Sequence, residues 1–231
     1  MAVTQFRGGP KPFTWSYSRL KNFETCPKRH YHLEVAKDVK EEESEQLLWG
    51  NQVHAACAAR IAKNTPLPIT MTSFEPWCQK ILAGADQPGV RILVEQKLAI
   101  TKEFGPCGFF DAPVWFRAVG DVIKVAGPVA LIVDWKTGKI VEDSVQLALA
   151  AACVFAHYPE VQKVRSEFIW LKENASTRED FTREGMVELW KGLWPRIESL
   201  KHAYETNSYP AKPGRLCRNW CPVKQCPYHG E

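Results

Sequence analysis

Apolar and polar positions change period several times along this chain, and each change marks an element. Residues 16–35 carry Tyr17, Leu20, Phe23 and Tyr31 on one side of a helical repeat, which predicts a helix. Residues 37–45 are dominated by charge and read as a solvated connector. From Ser44 to Lys63, the residues Leu47, Leu48, Val53, Ala56, Cys57 and Ile61 form a second helical stripe, which Pro66 and Pro68 end. A third helix is predicted over 72–83, then a loop from Gly84 to Gly89. The period next drops to two, predicting strands near 91–101, 114–125 and 129–135. A helix over 144–157, a strand over 161–171 and a long helix over 178–206 complete the pattern, without internal repeats.

This order predicts an α/β fold. With 231 residues, 45% of them hydrophobic, the chain can bury one large core. The expected organisation over 1–231 is a single domain, with a helical lobe over 14–83, a core over 90–175 and a helix with a Cys-rich tail over 176–231. The start carries Arg7, Lys11 and two prolines without an apolar leader, and no apolar run reaches membrane-spanning length. A cytoplasmic location with no membrane partner is expected. A net charge of +4 is only mildly basic, so contact with a polyanion must come from a local cluster.

The candidate chemistry lies where the apolar run Val129–Val133 ends in Asp134-Trp135-Lys136. Alternation in a strand puts Asp134 and Lys136 on one face and Trp135 on the other. Upstream, Gly120-Asp121 sits in the middle of another strand, and the Ala126-Gly127-Pro128 turn is short enough to fold the two into a hairpin. Asp121 would then lie beside Asp134. Two adjacent acids in a buried setting suggest a shared cation, with hard oxygen ligands favouring Mg2+ or Mn2+. A solvated strand end with a surface ion pair is the alternative. His54, on an alanine-rich helix, reads from periodicity as a core histidine.

The ordered set Gly50-x-x-x-His54, Gly120-Asp121, Asp134-x-Lys136-Thr137-Gly138 and Gln146 resembles the PD-(D/E)XK nuclease superfamily in its RecB-like branch, which includes the nuclease domains of RecB and AddB and small CRISPR-associated exonucleases. Trp15-Ser16-Tyr17-Ser18-Arg19-Leu20 and Cys26-Pro27-x-Arg29-x-Tyr31 are similar to the N-terminal signature of that branch, and the likeness spans about residues 14–228. The resemblance implies a restriction-endonuclease-like αβββαβ core with a mixed sheet. It implies metal ligands His54, Asp121, Asp134 and the Trp135 carbonyl, and a catalytic set of Asp121, Asp134, Lys136 and Gln146. Lys136 would hold the attacking water and stabilise the transition state. Glu95 falls where the family often places a glutamate near the site, and is expected behind the ligands; an acid on the strand surface is the alternative. Ala150 stands where an aromatic partner usually follows Gln146; an ordinary surface amide is the alternative there. Arg19, Lys28, Arg29, Trp15, Tyr17 and Tyr31 interleave bases with aromatics and could grip a strand, or simply form the core face of a helix.

Of eight cysteines, Cys57, Cys78, Cys107 and Cys153 lack ligand spacing, whereas Cys217-x3-Cys221-x4-Cys226 is a tight cluster. The resemblance supplies Cys26 as a fourth ligand of a 4Fe-4S cluster, although those relatives space the tail cysteines two then five. Zn2+, with Cys26 or His229 as the fourth ligand, and reduced thiols that hold nothing are the alternatives. Either would close a loop of about 190 residues and tie the two ends of the chain together. The function implied is a metal-dependent DNA exonuclease acting on a free end or single strand, in recombination, repair or replication of a bacterium or its virus, alongside other proteins of those processes. A structure-selective DNA endonuclease, a non-catalytic DNA-binding clamp and a zinc-ribbon-like interaction protein are the alternatives.

Overall fold

A two-residue turn, Gly127-Pro128, joins two long strands whose ladder runs from Ala126 opposite Val129 to Val122 opposite Val133. This hairpin is the centre of the sheet. The computed structural model describes residues 12–141 and 143–231, so the segment containing Arg7 and Lys11 lies outside the described residues. In chain order the elements are β1 (Trp15–Ser16), α1 (Tyr17–Thr25), α2 (Pro27–His30), α3 (Glu45–Lys63), α4 (Glu75–Leu82), β2 (Val90–Ile100), β3 (Pro106–Cys107), β4 (Phe116–Ala126) and β5 (Val129–Lys136). They continue with α5 (Ser144–His157), β6 (Lys163–Trp170), β7 (Ala175–Thr182), α6 (Met186–Thr206) and α7 (Leu216–Asn219). Among the described residues the strands form one mixed sheet in the order β3-β2-β4-β5-β6-β7, with β1 parallel to β4. The β5-α5-β6 unit is its parallel crossover. The mixed α/β architecture with a restriction-endonuclease-like core is therefore as expected.

Local chemistry explains the helix ends. The Ser16 side chain accepts the Arg19 N–H, and the Ser44 side chain accepts the Leu47 N–H at 3.2 Å, the usual N-cap bonds. Asn64 closes α3 in the left-handed conformation. The helix predicted over 16–35 is interrupted at Cys26-Pro27 and continues as α2 and a π-helical turn, Tyr31–Val35. Proline lacks the N–H that would continue α1 and instead starts a new helix. The helix predicted over 72–83 is a 3-10 segment, Ile69–Phe74, followed by α4.

One expectation is overturned. The long helix predicted from residue 178 begins at Met186, because Ala175–Thr182 pairs along its whole length with β6, from Lys163 opposite Thr182 to Trp170 opposite Ala175. This edge strand is exposed and charged on both sides, so it carries no apolar alternation to read; such polarity is how edge strands resist pairing with other chains.

Two cores cover the two faces. On one, Trp15, Leu20 and Phe23 pack with α5 and α6 against Leu98, Ile100, Phe116 and Ile123. On the other, Val53 and Cys57 of α3 and Cys78 and Ile81 of α4 pack against Val122, Val133 and Trp135. The faces exchange partway along β2 and β4. Ile92, Val94 and Val122 belong to the α3–α4 side, yet Leu98, Ile100 and Phe116, also even-numbered, lie on the other. The ladder skips one position between Val94–Val122 and Gln96–Gly120, the place where Glu95 stands opposite Asp121. Glu95 has φ 51, a left-handed conformation rare for a residue with a Cβ. Among the described residues, no helix is long and apolar enough to cross a membrane.

Candidate metal centre and catalytic cluster

The exchange of faces at Glu95 and Asp121 aims both carboxylates at α3. His54 Nδ1 lies 3.2 Å from Asp121 Oδ1. One ligand atom each from His54, Glu95 and Asp121 falls within 4.8 Å of the others. An imidazole and two carboxylates at this spacing can hold a divalent ion of the Mn2+ or Mg2+ class. The other Asp121 oxygen, Oδ2, accepts the Trp135 backbone N–H at 2.8 Å. This bond holds the acid where β4 and β5 part.

On β5, Asp134 and Lys136 share a face and Trp135 is buried in the opposite core, as alternation requires. Lys136 Nζ lies 2.7 Å from Asp134 Oδ2 and donates to Gln146 Oε1 at 3.2 Å. Gln146 Nε2 donates to Asp134 Oδ1 at 2.6 Å. Gln146 stands in the first turn of α5, so the start of that helix bridges the acid and the base. Phe168 lies under the ammonium, 4.7 Å from its ring centre. Gly50 lets α3 approach the strand end, since a Cβ there would sit 3.3 Å from Thr137 Oγ1.

Electrostatics bind the two groups into one site. Burial pushes the Asp134 carboxyl up to about 6; Lys136 and His54 oppose the shift, and the negative charge of Asp121 adds to it. Its hydrogen bond to Asp121 raises the His54 imidazole above its ordinary value against the effect of burial. Glu95 is raised by burial and by Asp121. Crowded acids that resist ionisation are what a cation relieves. A cavity of about 740 Å3 is lined by His54, Glu95, Asp121, Asp134, Lys136 and Gln146 together. The structure thus brings His54, Asp121, Asp134, Lys136 and Gln146 to one place, with a Glu95 carboxylate oxygen within 4.8 Å of the His54 and Asp121 donor atoms.

The N-terminal basic and aromatic residues scatter. Trp15 is 1% exposed in the core, the Tyr17 hydroxyl donates to the Asp143 carboxylate, and Tyr31 packs on Tyr209. Arg19 pairs with Glu34 at 3.4 Å and Arg29 with Glu41. Lys28 lines a different cavity, of about 240 Å3, whose walls include Cys26, Cys217, Cys221 and Cys226. All four are free thiols. The Lys212 and Gly214 N–H groups each donate to a thiol sulfur at 3.4 Å, of Cys26 and Cys217 respectively. The Lys28 N–H donates to the Pro210 carbonyl at 3.2 Å, joining the start of α2 to the tail.

A sequence model described as the PD-(D/E)XK nuclease superfamily matches residues 14–227. Among solved structures, a candidate exonuclease from Eubacterium rectale is 16% identical with a TM-score of 0.51, over 98% of this chain and 94% of that one. The protein SSO0001 is 14% identical with a TM-score of 0.41, over 96% of this chain and 90% of that one. No curated protein sequence matches the chain.

Proposed function

Since the chain belongs to the PD-(D/E)XK nuclease superfamily, a family of metal-dependent nucleic-acid hydrolases, we propose that it is a DNA exonuclease of the RecB-like branch, using Mg2+ or Mn2+ in recombination, repair or replication. The observation that carries this reading is the bridged triad Asp134, Lys136 and Gln146 standing against the His54, Glu95 and Asp121 group. A non-catalytic clamp has no need of that arrangement. The likeness in fold to the Eubacterium rectale protein agrees with an exonuclease.

His54, Glu95, Asp121 and Asp134, with the Trp135 carbonyl, would hold the metal. A divalent ion there would supply charge neutralisation at the scissile phosphate and lower the pKa of an attacking water. The chain's own groups do the rest. Lys136 Nζ, fixed between Asp134 and Gln146, holds the attacking water by a hydrogen bond and offsets negative charge as it builds on phosphorus oxygens. Gln146 keeps the ammonium aimed and cannot itself titrate. The Asp134 carboxyl, held up by burial, would ionise more readily with a cation beside it.

The four thiols, we infer, hold a 4Fe-4S cluster that fastens α2 to the tail; zinc is the second reading. The experiment on function compares linear DNA labelled at either end with covalently closed circles and with RNA, with and without Mg2+ or Mn2+. Mononucleotide release from one end of linear DNA, with circles intact, supports the reading. Cutting of circles would make it an endonuclease, and metal-independent behaviour would overturn it.

A further inference from the structure

Beyond the face exchange at Asp121, residues Asp121, Val119 and Arg117 alternate with Gly120, Ala118 and Phe116, the latter two of which pack in the α5–α6 core. Arg117 therefore shares the face of Asp121, about 13 Å further along β4 at the usual strand rise. Lys97 lies opposite Val119 on β2. This face runs from acidic, at Glu95 and Asp121, to basic, at Lys97 and Arg117.

Arg117 is placed for a ligand the chain does not supply. Among the described residues no carboxylate pairs with it, and its Nε is buried without a hydrogen-bond partner. Leaving a buried guanidinium nitrogen unbonded is costly. Its planar head lies over the Phe109 and Phe110 rings, at 5.3 and 6.0 Å, and Lys97 Nζ approaches the same rings at 5.8 and 5.6 Å. Phe110 is 78% exposed, on a loop held by the Gly108 N–H donating to Asp111 Oδ2 at 2.7 Å. A large aromatic ring presented to water beside two cations that form no ion pair among the described residues suits an unpaired base with its phosphate.

The Arg117 side of this region borders the catalytic cluster. A cavity of about 490 Å3 lined by Arg117, Arg19 and Phe109 also takes in Asp134 and Gln146, and it shares Val119, Asp134 and Gln146 with the metal-side cavity.

We propose that Arg117, Lys97 and the Phe109–Phe110 pair form a subsite for a single-stranded flank of the substrate. Arg117 takes a phosphate a few nucleotides from the bond that is cut, and Phe110 stacks the adjacent base. The inference rests on the nuclease reading and narrows its substrate to nucleic acid with an unpaired end. Duplex bases are already stacked on each other and cannot use the ring.

The test is binding without cleavage. Fluorescein-labelled oligothymidylates, from two to about eight nucleotides, and a blunt hairpin duplex are titrated into full-length protein in EDTA, with anisotropy as readout. Wild-type affinity should rise by about tenfold or more at the length that first reaches the subsite. Arg117→Ala and Phe110→Ala should each remove that rise. Arg117→Ala should also reduce the slope of log affinity against log salt by about 0.7, one phosphate contact on a single strand. Because Phe110 is exposed, its variant keeps the test valid even if Arg117→Ala does not fold. An unchanged ladder in Phe110→Ala, a loss equal at every length, or a blunt duplex bound as tightly as the longest single strand would overturn the proposal. Failure of the nuclease reading shows separately, as wild-type protein that leaves labelled DNA intact in Mg2+ and Mn2+.

Discussion

Glu95 and Asp121 face each other at the position where the ladder between β2 and β4 lapses, and Glu95 holds a left-handed φ of 51 to do so. The irregularity carries both acids to the α3 side, where His54 waits. Backbone strain at such a place costs about 1 kcal/mol or more, and the site keeps it. Glu95→Gly should thus raise the melting temperature of the metal-free protein while increasing the Mn2+ concentration needed for half-maximal cleavage. Thermal melts in EDTA alongside metal titrations check both signs; a variant that is less stable and equally responsive to metal would contradict the assignment.

Gly120 precedes Asp121, and a Cβ on it would lie 2.9 Å from Ile123 Cδ1, inside a fully buried side chain that has nowhere to move. Gly120→Ala should cost about 1–3 kcal/mol of stability through overpacking and lower cleavage further by displacing Asp121 from His54. Urea unfolding and initial rates at saturating metal measure the two effects. Wild-type values in both would show that the strand tolerates the methyl and that Asp121 is not held by this contact.

The raised Asp134 carboxyl makes stability depend on pH. Its value of about 6 when folded lies above the ordinary value near ~3.9, so the proton prefers the folded state. The favourable contribution is complete below about pH 4 and is lost as pH rises through about 6. In EDTA, Asp134→Asn should gain on wild type in melting temperature from about pH 4 to about pH 8. Excess Mg2+ should reverse the order at the upper end, because the cation stabilises only the ionised carboxylate. Parallel curves for the two proteins at every pH would remove Asp134 from the coupled cluster.

Much of this site is legible in the sequence because it follows regular periods. Asp134 and Lys136 emerge together because β5 alternates without a break, and the two-residue turn places Asp121 beside them. Glu95 as a ligating neighbour is hidden, since Leu93-Val94-Glu95 shows no local sign that the strand changes face there. Arg117 follows from alternation with Asp121 only once that change is known. The edge strand Ala175–Thr182 is polar on both faces and is specified by hydrogen bonding to β6, a long-range term that composition does not carry. The thiols cluster visibly in the tail, but their meeting with Cys26 depends on how α2 docks.

That meeting gives a further expectation. Serine at Cys26, Cys217, Cys221 or Cys226 should each lower the melting temperature and abolish bound metal, since the site joins the two ends of the chain. Brown protein with iron and sulfide, purified without oxygen, identifies a cluster; colourless protein with stoichiometric zinc identifies the second reading. Four serine variants as stable as wild type, with no metal in the parent, would leave the cavity without a ligand.

The central claim is that Lys136, bridged to Asp134 by Gln146, assists hydrolysis beside a metal held by His54, Glu95, Asp121 and Asp134. Its most direct test is single-turnover cleavage of end-labelled DNA by wild type and Lys136→Ala at saturating Mg2+, with Mn2+ affinity and thermal stability measured on the same preparations. The predicted result is a rate lower by about 100-fold or more, with folding and metal binding retained. A Lys136→Ala protein that cuts at the wild-type rate would contradict it.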